Sequence, residues 1–281
     1  MKTITRVAAA TLSVSFAFGA SEVSRFPAYV DSDLCARLML GPITPERKQC
    51  SLSTVKDGSQ PVLVRLQNNM VLSVNKDKLI RPFVGQLADI SGTLKVRDGT
   101  AKIDSALPLD STSIPQADPS RRLLDAKTYQ TEHSAELFEK VRHELAMMPY
   151  ITVFDFISFT QNGAEVILTG WTVRATNRDS AERAVRDVKG VESVINNIEI
   201  LPLGSADMNI RAATRAALQQ NLSRYFWGSG SDIRIVVKNG QIILLGIVAT
   251  KADSDIAFIR SNSVPFAFKV FNMLRVQNSD K

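Results

Sequence analysis

The sequence predicts an α+β fold in which a small β-barrel precedes two copies of one helix–strand–strand–helix–strand module. Two observations predict this order. In the first half of the chain, short apolar runs alternate with turn residues, as in small all-β domains. In the second half, the same succession of turns, glycines and apolar strands occurs twice at a nearly constant spacing.

The first twenty residues have the pattern of a secretory signal peptide. Lys2 and Arg6 precede an apolar, small-residue run that ends at Gly19, and small residues offer a cleavage site near residues 17–20. The run is too short to span a bilayer comfortably. The alternative is an N-terminal helix that belongs to the fold. We expect export, which makes the mature protein periplasmic or otherwise extracytoplasmic.

The only two cysteines of the chain are Cys35 and Cys50. In an oxidising compartment, an isolated pair this close in sequence predicts one disulfide. A zinc site needs about four ligands, and neither His133 nor His143 lies near the cysteines in sequence. We therefore expect no metal site. A free, reactive thiol is the remaining alternative.

Four strand-like runs predict a small β-barrel over residues 33–107. Turn motifs separate the runs, and Asp98-Gly99 is a typical hairpin turn. A short helical or irregular connection is expected over residues 79–84. The four runs are Val62–Leu66, Met70–Val74, Leu87–Val96 and Thr100–Ala106.

The segment VLVRLQNNMVLSVNKDKLIRPFVGQLADISGTL, which begins at Val62, resembles small OB-like barrels of exported bacterial proteins. In those barrels a glycine, alternating apolar residues and a second glycine form a bent central strand. OB-folds that bind single-stranded nucleic acid stack bases on aromatic side chains. Phe83 is the only aromatic residue between Val55 and Leu107. The sequence therefore predicts no nucleic-acid partner.

Residues 108–132 read as a linker. The stretch contains Pro108, Pro115 and Pro119 among serine, threonine and aspartate residues, with little apolar periodicity. It separates the barrel from the repeated half of the chain.

The two predicted modules cover residues 133–203 and 206–278. Asn162-Gly163 corresponds to Asn239-Gly240 at an offset of 77 residues, and Gly170 corresponds to Gly246 at an offset of 76. The offset of 76 continues through the last strand of each copy. Such matched turns predict a duplicated unit.

Apolar periodicity places two helices in each copy. A three-stranded sheet with two helices on one face has a modest core, so we expect the two copies to pack together. The helix-marking residues are Leu137, Val141, Leu145, Ala181, Val185 and Val188 in the first copy, and Ile210, Ala213 or Thr214, Ala217, Leu218 and Ala252–Ile259 in the second.

The segment VILTG…RDSAERAVRDVKGVESVINNIEI of the first copy resembles a BON domain, the module named for bacterial osmotically induced and nodulation proteins. The second copy resembles the same family. In that family a glycine ends the second strand and a Gly-Val pair introduces the last strand. Gly170 and Gly190-Val191 match this pattern in the first copy and Gly246 matches it in the second, where Phe266 stands in place of Gly190.

We expect Gly170 and Gly246 to have equivalent structural roles, at the point where the backbone turns closely past the following helix. Gly190 is expected to end the second helix of the first copy.

The resemblance implies a non-enzymatic envelope protein, without a cofactor, that binds anionic phospholipid surfaces or envelope components and so supports envelope integrity or osmotic stress tolerance. The alternative is a structural protein that assembles with an envelope protein or with itself. A hydrolase is the third class, but the chain has two histidines and neither a phosphate loop nor a dinucleotide fingerprint. The sequence specifies neither the ligand nor the oligomeric state.

Charge differs between the two modules. Residues 134–203 carry 7 Lys/Arg against 10 Asp/Glu, whereas residues 207–281 carry 10 against 5, which gives net charges of −3 and +5. The second module is therefore predicted to contact an anionic surface. Its candidate lipid-binding residues are Arg224, Tyr225, Phe226, Trp227, Arg234, Lys238, Lys251, Phe258 and Arg260.

Three consecutive aromatic residues cannot all face one core from a helix end, so at least one of Tyr225, Phe226 and Trp227 is expected to be exposed. The alternative is that Tyr225 or Trp227 fills the interface between the two modules. A second group combines Phe258, Phe266 and Phe268 with Arg260 and Lys269 around the second helix and the last strand. Most of these three aromatics are expected in the core, because so small a domain needs them there.

Overall fold

The computed structural model describes residues 22–39, 43–95, 99–109, 132–227 and 232–277, and within them it confirms the α+β fold. A closed five-stranded barrel is followed by two separate three-stranded sheets, each with its own helices. The expected signal peptide and most of the expected linker lie outside the described residues.

The barrel closes in the strand order β1-β2-β3-β5-β4. Neighbouring strands are antiparallel except β3 and β5, which are parallel. A short helix, α3 (Asp77–Ile80), and a 3-10 turn (Arg81–Phe83) connect β3 to β4, close to the connection expected over residues 79–84. The strands are β1 (Glu22–Ser32), β2 (Pro61–Arg65), β3 (Val71–Val74), β4 (Leu87–Lys95) and β5 (Thr100–Pro108).

The barrel begins ahead of the sequence-based boundary at residue 33. β1 pairs with both β2 and β4, so the barrel cannot close without it. Two further helices, α1 (Asp33–Leu38) and α2 (Pro45–Lys56), precede β2. Cys35 of α1 and Cys50 of α2 form a disulfide, as predicted.

Each module consists of a helix, a hairpin, a second helix and a last strand that lies parallel to the middle one. The sheet orders are β6-β7-β8 and β9-β10-β11. The first module contains α4 (Glu132–Ala146), β6 (Phe156–Asn162), β7 (Glu165–Thr172), α5 (Ala175–Arg186) and β8 (Ser193–Ile200). The second contains α6 (Ser205–Leu222), β9 (Ile233–Lys238), β10 (Gln241–Val248), α7 (Lys251–Asn262) and β11 (Lys269–Val276).

The second face of the module 2 sheet, which the helices leave uncovered, is buried against the rest of the protein. Ile242 and Leu244 of β10 point into the helix-covered core, whereas the alternate residues Ile243 and Leu245 pack with Leu34 of α1 and Trp171 of module 1. This arrangement brings the two modules and the barrel together around α1. It leaves α6 and α7 as the outer layer of module 2.

Gly170 and Gly246 have equivalent roles, but the part of the backbone that comes too close for a side chain is not the one expected. Both have a positive φ, of 117° and 115°. A Cβ at position 170 would lie 2.0 Å from the carbonyl oxygen of Phe156, and one at 246 would lie 1.9 Å from that of Asp232. The close approach is therefore to the start of the first strand rather than to the following helix. Gly190 was expected to end the second helix, but α5 ends at Arg186 with Asp187 as its C-cap, and Gly190, with a φ of 105°, lies in the connection to β8.

We predict that Gly170→Val and Gly246→Val each destabilise the protein by more than about 3 kcal/mol, because the new side chain meets both a backbone clash and an unfavourable φ. Chemical denaturation measures this change. Gly163→Asn is the control, because Gly163 also has a positive φ but has no atom within 4 Å of the position of a Cβ. Unchanged unfolding in both valine variants would contradict the argument.

We also predict that removal of the disulfide by Cys35→Ser and Cys50→Ser lowers the free energy of unfolding by about 3 kcal/mol, the value expected for a loop of this length. The unreduced wild-type protein should contain no thiol that reacts with an alkylating reagent. Mass spectrometry with and without reduction checks this. Two alkylated cysteines in the unreduced protein would contradict the pairing.

Candidate functional site

The aromatic run after α6 divides between core and surface. Residues 223–226 form a 3-10 turn, in which Tyr225 is buried and Phe226 is half-buried against the core of module 2. Trp227 is 77% exposed. Because Tyr225 is buried and Phe226 is half-buried, Trp227 is the member of this run that is available to a partner.

Tyr225 fixes the end of this turn through its hydroxyl. The hydroxyl donates to Asp253 Oδ2 at 2.9 Å and accepts from the backbone N–H of Ala249 at 2.8 Å. Arg224 also pairs with Asp253, and its guanidinium lies 4.9 Å from the centre of the Tyr225 ring. Desolvation alone would raise the pKa of Asp253, but hydrogen bonds from Thr250, Tyr225 and Arg224 lower it below its usual value. The carboxylate therefore stays charged and holds the turn.

The outer side of α7 carries the next group of candidates. Lys251, Phe258 and Arg260 are exposed, and Lys251 pairs with Asp255 one turn further along the helix. Ile259, which the sequence analysis did not single out, is also exposed.

Phe266 and Phe268 contradict the expectation that most of the three phenylalanines Phe258, Phe266 and Phe268 are core residues. They are 84% and 83% exposed, in the connection between α7 and β11. Phe258 is exposed as well, although less so. The core space beneath the helices is filled instead by smaller aliphatic side chains such as Ala257 and Val264.

Two basic candidates take part in contacts between domains rather than in the outer helical layer. Arg234 donates from Nη1 to the backbone oxygen of Thr152 in module 1 at 2.9 Å, and burial lowers the pKa of this arginine. Lys238 lies at the junction of the barrel and both modules, with acidic partners on two sides. Sequence alone did not distinguish these two from surface cations, because both lie on a strand whose other face is also buried.

Lys238 belongs to a cluster of four alternating charges drawn from three domains. Its Nζ lies 2.9 Å from Asp33 Oδ2 and 2.7 Å from Glu199 Oε1. Arg37 completes the cluster, with contacts of 2.8 Å to Asp33 and 3.0 Å to Glu199. Asp33 and Arg37 come from α1, Glu199 from β8 and Lys238 from β9. The cluster therefore links the barrel to both modules.

The protonation of Asp33 depends on these cations. Burial alone would raise the pKa of Asp33, but Arg37 and Lys238 together lower it from 3.8 to about 2. Burial alone would also lower the pKa of Lys238, which Asp33 and Glu199 raise above its usual value. Asp33 and Lys238 are thus held in their charged forms.

The pKa of Asp33 predicts an acid-dependent loss of stability. A carboxylate whose pKa is lower in the folded state contributes stability above its unfolded pKa, and this contribution disappears as the pH falls from about 4 to about 2. We predict that Asp33→Asn loses about 2 kcal/mol at neutral pH and flattens the dependence of unfolding free energy on pH in that window.

Denaturant titrations between pH 2 and pH 7 measure both effects. Asp255→Asn is the matched control, because it breaks an exposed ion pair that should be worth less than about 1 kcal/mol. If the unfolding free energies of Asp33→Asn and the wild type fall equally steeply as the pH is lowered from about 4 to about 2, the cluster does not stabilise the fold as described.

Other chemistry is sparse in the described part of the chain. No three His, Cys, Asp or Glu side chains come together there in a group that could hold a metal ion. None of the helices in these ranges is long and apolar enough to cross a membrane.

Comparison with solved structures gives distant likenesses. Two are structures of CdsD, a structural protein of the type III secretion system of Chlamydia trachomatis, one of them of its C-terminal domain. Each is 11% identical to this chain, covers 50% of it, and aligns with a TM-score of 0.21 over 92% and 98% of the respective CdsD chains. Similarity at this level carries no functional argument. No curated protein matches the chain.

Comparison with protein-family models gives two matches to the BON domain, at residues 133–202 and 206–278. These ranges coincide with the two modules and together cover half of the chain. BON domains are generally non-catalytic and suggest an envelope-associated protein, and together with the disulfide they suggest export. The chain belongs to the BON-domain family.

Proposed function

We propose that this protein binds anionic phospholipid surfaces of the cell envelope through module 2, while module 1 and the barrel orient that module. The observation that carries the proposal is the charge of the outer helical layer. On α6, α7 and the turn after α6, the exposed ionisable side chains are Arg215, Arg224, Lys251, Arg260 and Asp255.

The position of this layer supports the proposal. The opposite face of the module 2 sheet is buried against α1 and module 1, so the helices face away from the rest of the protein. Trp227 extends the same layer beyond α6, and an amphipathic ring of this kind suits the membrane–water interface. A flat anionic surface therefore meets cations and an aromatic side chain without displacing another domain.

The strength of such binding depends on salt. Each well-placed Lys or Arg contributes about 1 kcal/mol near an anionic leaflet, and the field decays over roughly 8–10 Å at ordinary ionic strength. Module 1, with its net charge of −3, gains nothing from the same approach. The binding should therefore be modest, reversible and confined to module 2.

A second candidate is a protein-binding role in envelope assembly. A cleft of about 780 Å³ lies where the two modules meet, beside the edge strand β6. Exposed apolar side chains at its rim include Met147, Tyr150 and Ile247. A cleft with such a rim favours a protein partner independently of lipid.

We predict that the protein floats with phosphatidylglycerol-containing vesicles at low salt, that it does not float with phosphatidylcholine vesicles, and that added salt weakens the binding. Arg215→Glu/Arg260→Glu should weaken partitioning by about tenfold or more, because each reversal replaces attraction with repulsion. The matched control, Arg183→Glu/Lys189→Glu, makes the same charge change on exposed residues of module 1 and should bind like the wild type.

Two outcomes would count against this function. Absence of binding to both kinds of vesicle at low salt would remove the lipid proposal and leave the protein-binding candidate. Equal losses in the two double variants would show that net charge, rather than the outer layer of module 2, determines attachment.

A further inference from the structure

The connection between the second helix and the last strand has the same backbone structure in the two modules. Gly190 and Phe266 occupy equivalent positions at the offset of 76 residues, and both have a positive φ, of 105° and 66°. In both modules the backbone N–H of the next residue donates to the carbonyl oxygen of the residue three positions earlier. Val191 donates to Val188, and Ala267 donates to Val264.

The following hydrogen bond is also equivalent. Glu192 donates its N–H to the oxygen of Ala164, and Phe268 donates its N–H to the oxygen of Gly240, both at 2.9 Å. The two connections therefore differ in their side chains rather than in their path. Module 1 has Gly190-Val191-Glu192, and module 2 has Phe266-Ala267-Phe268.

Phe266 is unfavourable at this position on grounds of stability. A positive φ suits glycine, whereas a bulky side chain in this region is a genuine outlier that costs free energy. Burial does not offset the cost, because the Phe266 ring is 84% exposed. The Phe268 ring, which is 83% exposed, adds a second apolar group to the same loop. Module 2 thus keeps two aromatic rings where module 1 has a glycine and a glutamate.

The loop is held in place before any partner arrives. The Phe268 N–H is bonded to the β9–β10 turn, and its ring lies against Gly240, where a Cβ would come within 2.5 Å of it. A loop that is ordered in advance loses little conformational entropy on binding. The backbone of both residues is therefore ordered, and the Phe268 ring rests against the β9–β10 turn.

We propose that Phe266 and Phe268 form a wedge that enters the lipid headgroup region when module 2 binds an anionic membrane. This inference rests on the proposed function and names the part of module 2 that inserts. Arg260 is exposed on the last turn of α7, which precedes the wedge, and Phe258 and Ile259 are exposed apolar side chains on the same helix. Lys269 directly follows Phe268 and is half-buried, with its Nζ 3.2 Å from Asp57 of the barrel. Cations beside projecting apolar side chains suit the boundary between anionic headgroups and acyl chains. An aromatic ring inside a protein groove is shielded by the walls of the groove. The Phe266 and Phe268 rings have no such walls around them and are more than four-fifths exposed.

The duplicated module supplies a direct test. Phe266→Gly/Phe268→Glu gives module 2 the module 1 residues at the two positions that carry the exposed rings. Glycine removes the unfavourable φ at position 266, so the unfolding temperature should stay the same or rise by about 2–4 °C. Partitioning into phosphatidylglycerol vesicles should fall by about tenfold or more for each ring lost. Weaker binding by a variant at least as stable as the wild type excludes misfolding as the cause.

The neutral variant Phe266→Gly/Phe268→Ser separates loss of the rings from the added negative charge, and it should also bind weakly. Binding at the wild-type level by the neutral variant would overturn the wedge while leaving the proposed function intact. If the wild type fails to bind anionic vesicles, the proposed function fails and the wedge fails with it.

Fluorescence gives an independent readout of insertion. Phe268→Trp should show a blue shift with anionic vesicles and should be quenched by lipids brominated in the upper acyl chain. Glu192→Trp, at the equivalent position of module 1, should show neither change, and the wild type corrects for the signals of Trp171 and Trp227. Equal responses from the two new tryptophans, or no response from Phe268→Trp, would overturn the wedge.

Discussion

Burial of the uncovered face of a three-stranded sheet is the constraint on which the arrangement of this protein depends. In module 2 the helices cover one face, and Ile243, Leu245 and Phe271 make the other face apolar as well. A module of this size cannot leave that face in water, because its core is too small to offset the exposure. Leu34 of α1 and Trp171 of module 1 cover it. The outward position of α6 and α7, and so the position of the proposed membrane surface, follows from this contact.

Apolar burial alone does not specify how the three domains are oriented, because it is non-directional. The charges of Asp33, Arg37, Glu199 and Lys238 alternate around one cluster, so each carboxylate meets two cations only in this arrangement. Removing one member leaves two of the remaining charges with one partner instead of two, which costs more than loss of a surface pair. The disulfide between Cys35 and Cys50 holds α1, the source of two of these charges, against α2.

Duplication has allowed the two modules to keep one backbone and acquire different surfaces. Gly170 and Gly246 serve the same close approach between strands, and the loops at Gly190 and Phe266 share their hydrogen bonds. The side chains on this common frame differ in charge and in apolar exposure. In module 1 the exposed loop position is glycine, which suits its backbone; in module 2 it is phenylalanine, which does not. We propose that the difference reflects surface contact by module 2 and an orienting role for module 1.

The sequence by itself determined the elements that depend on local pattern: the repeated Asn-Gly turns, the alternating strands, most of the barrel and the pairing of the only two cysteines. It did not reveal β1, because this strand contains Pro27 and charged residues and is defined by its pairing with β2 and β4. Nor did it separate Lys238, which is buried among carboxylates, from cations at the surface. Phe266 and Phe268 were expected in the core and are exposed. Tertiary structure decided these placements, because burial depends on which face of a strand or loop another domain covers, and that is not encoded in the local periodicity of the chain.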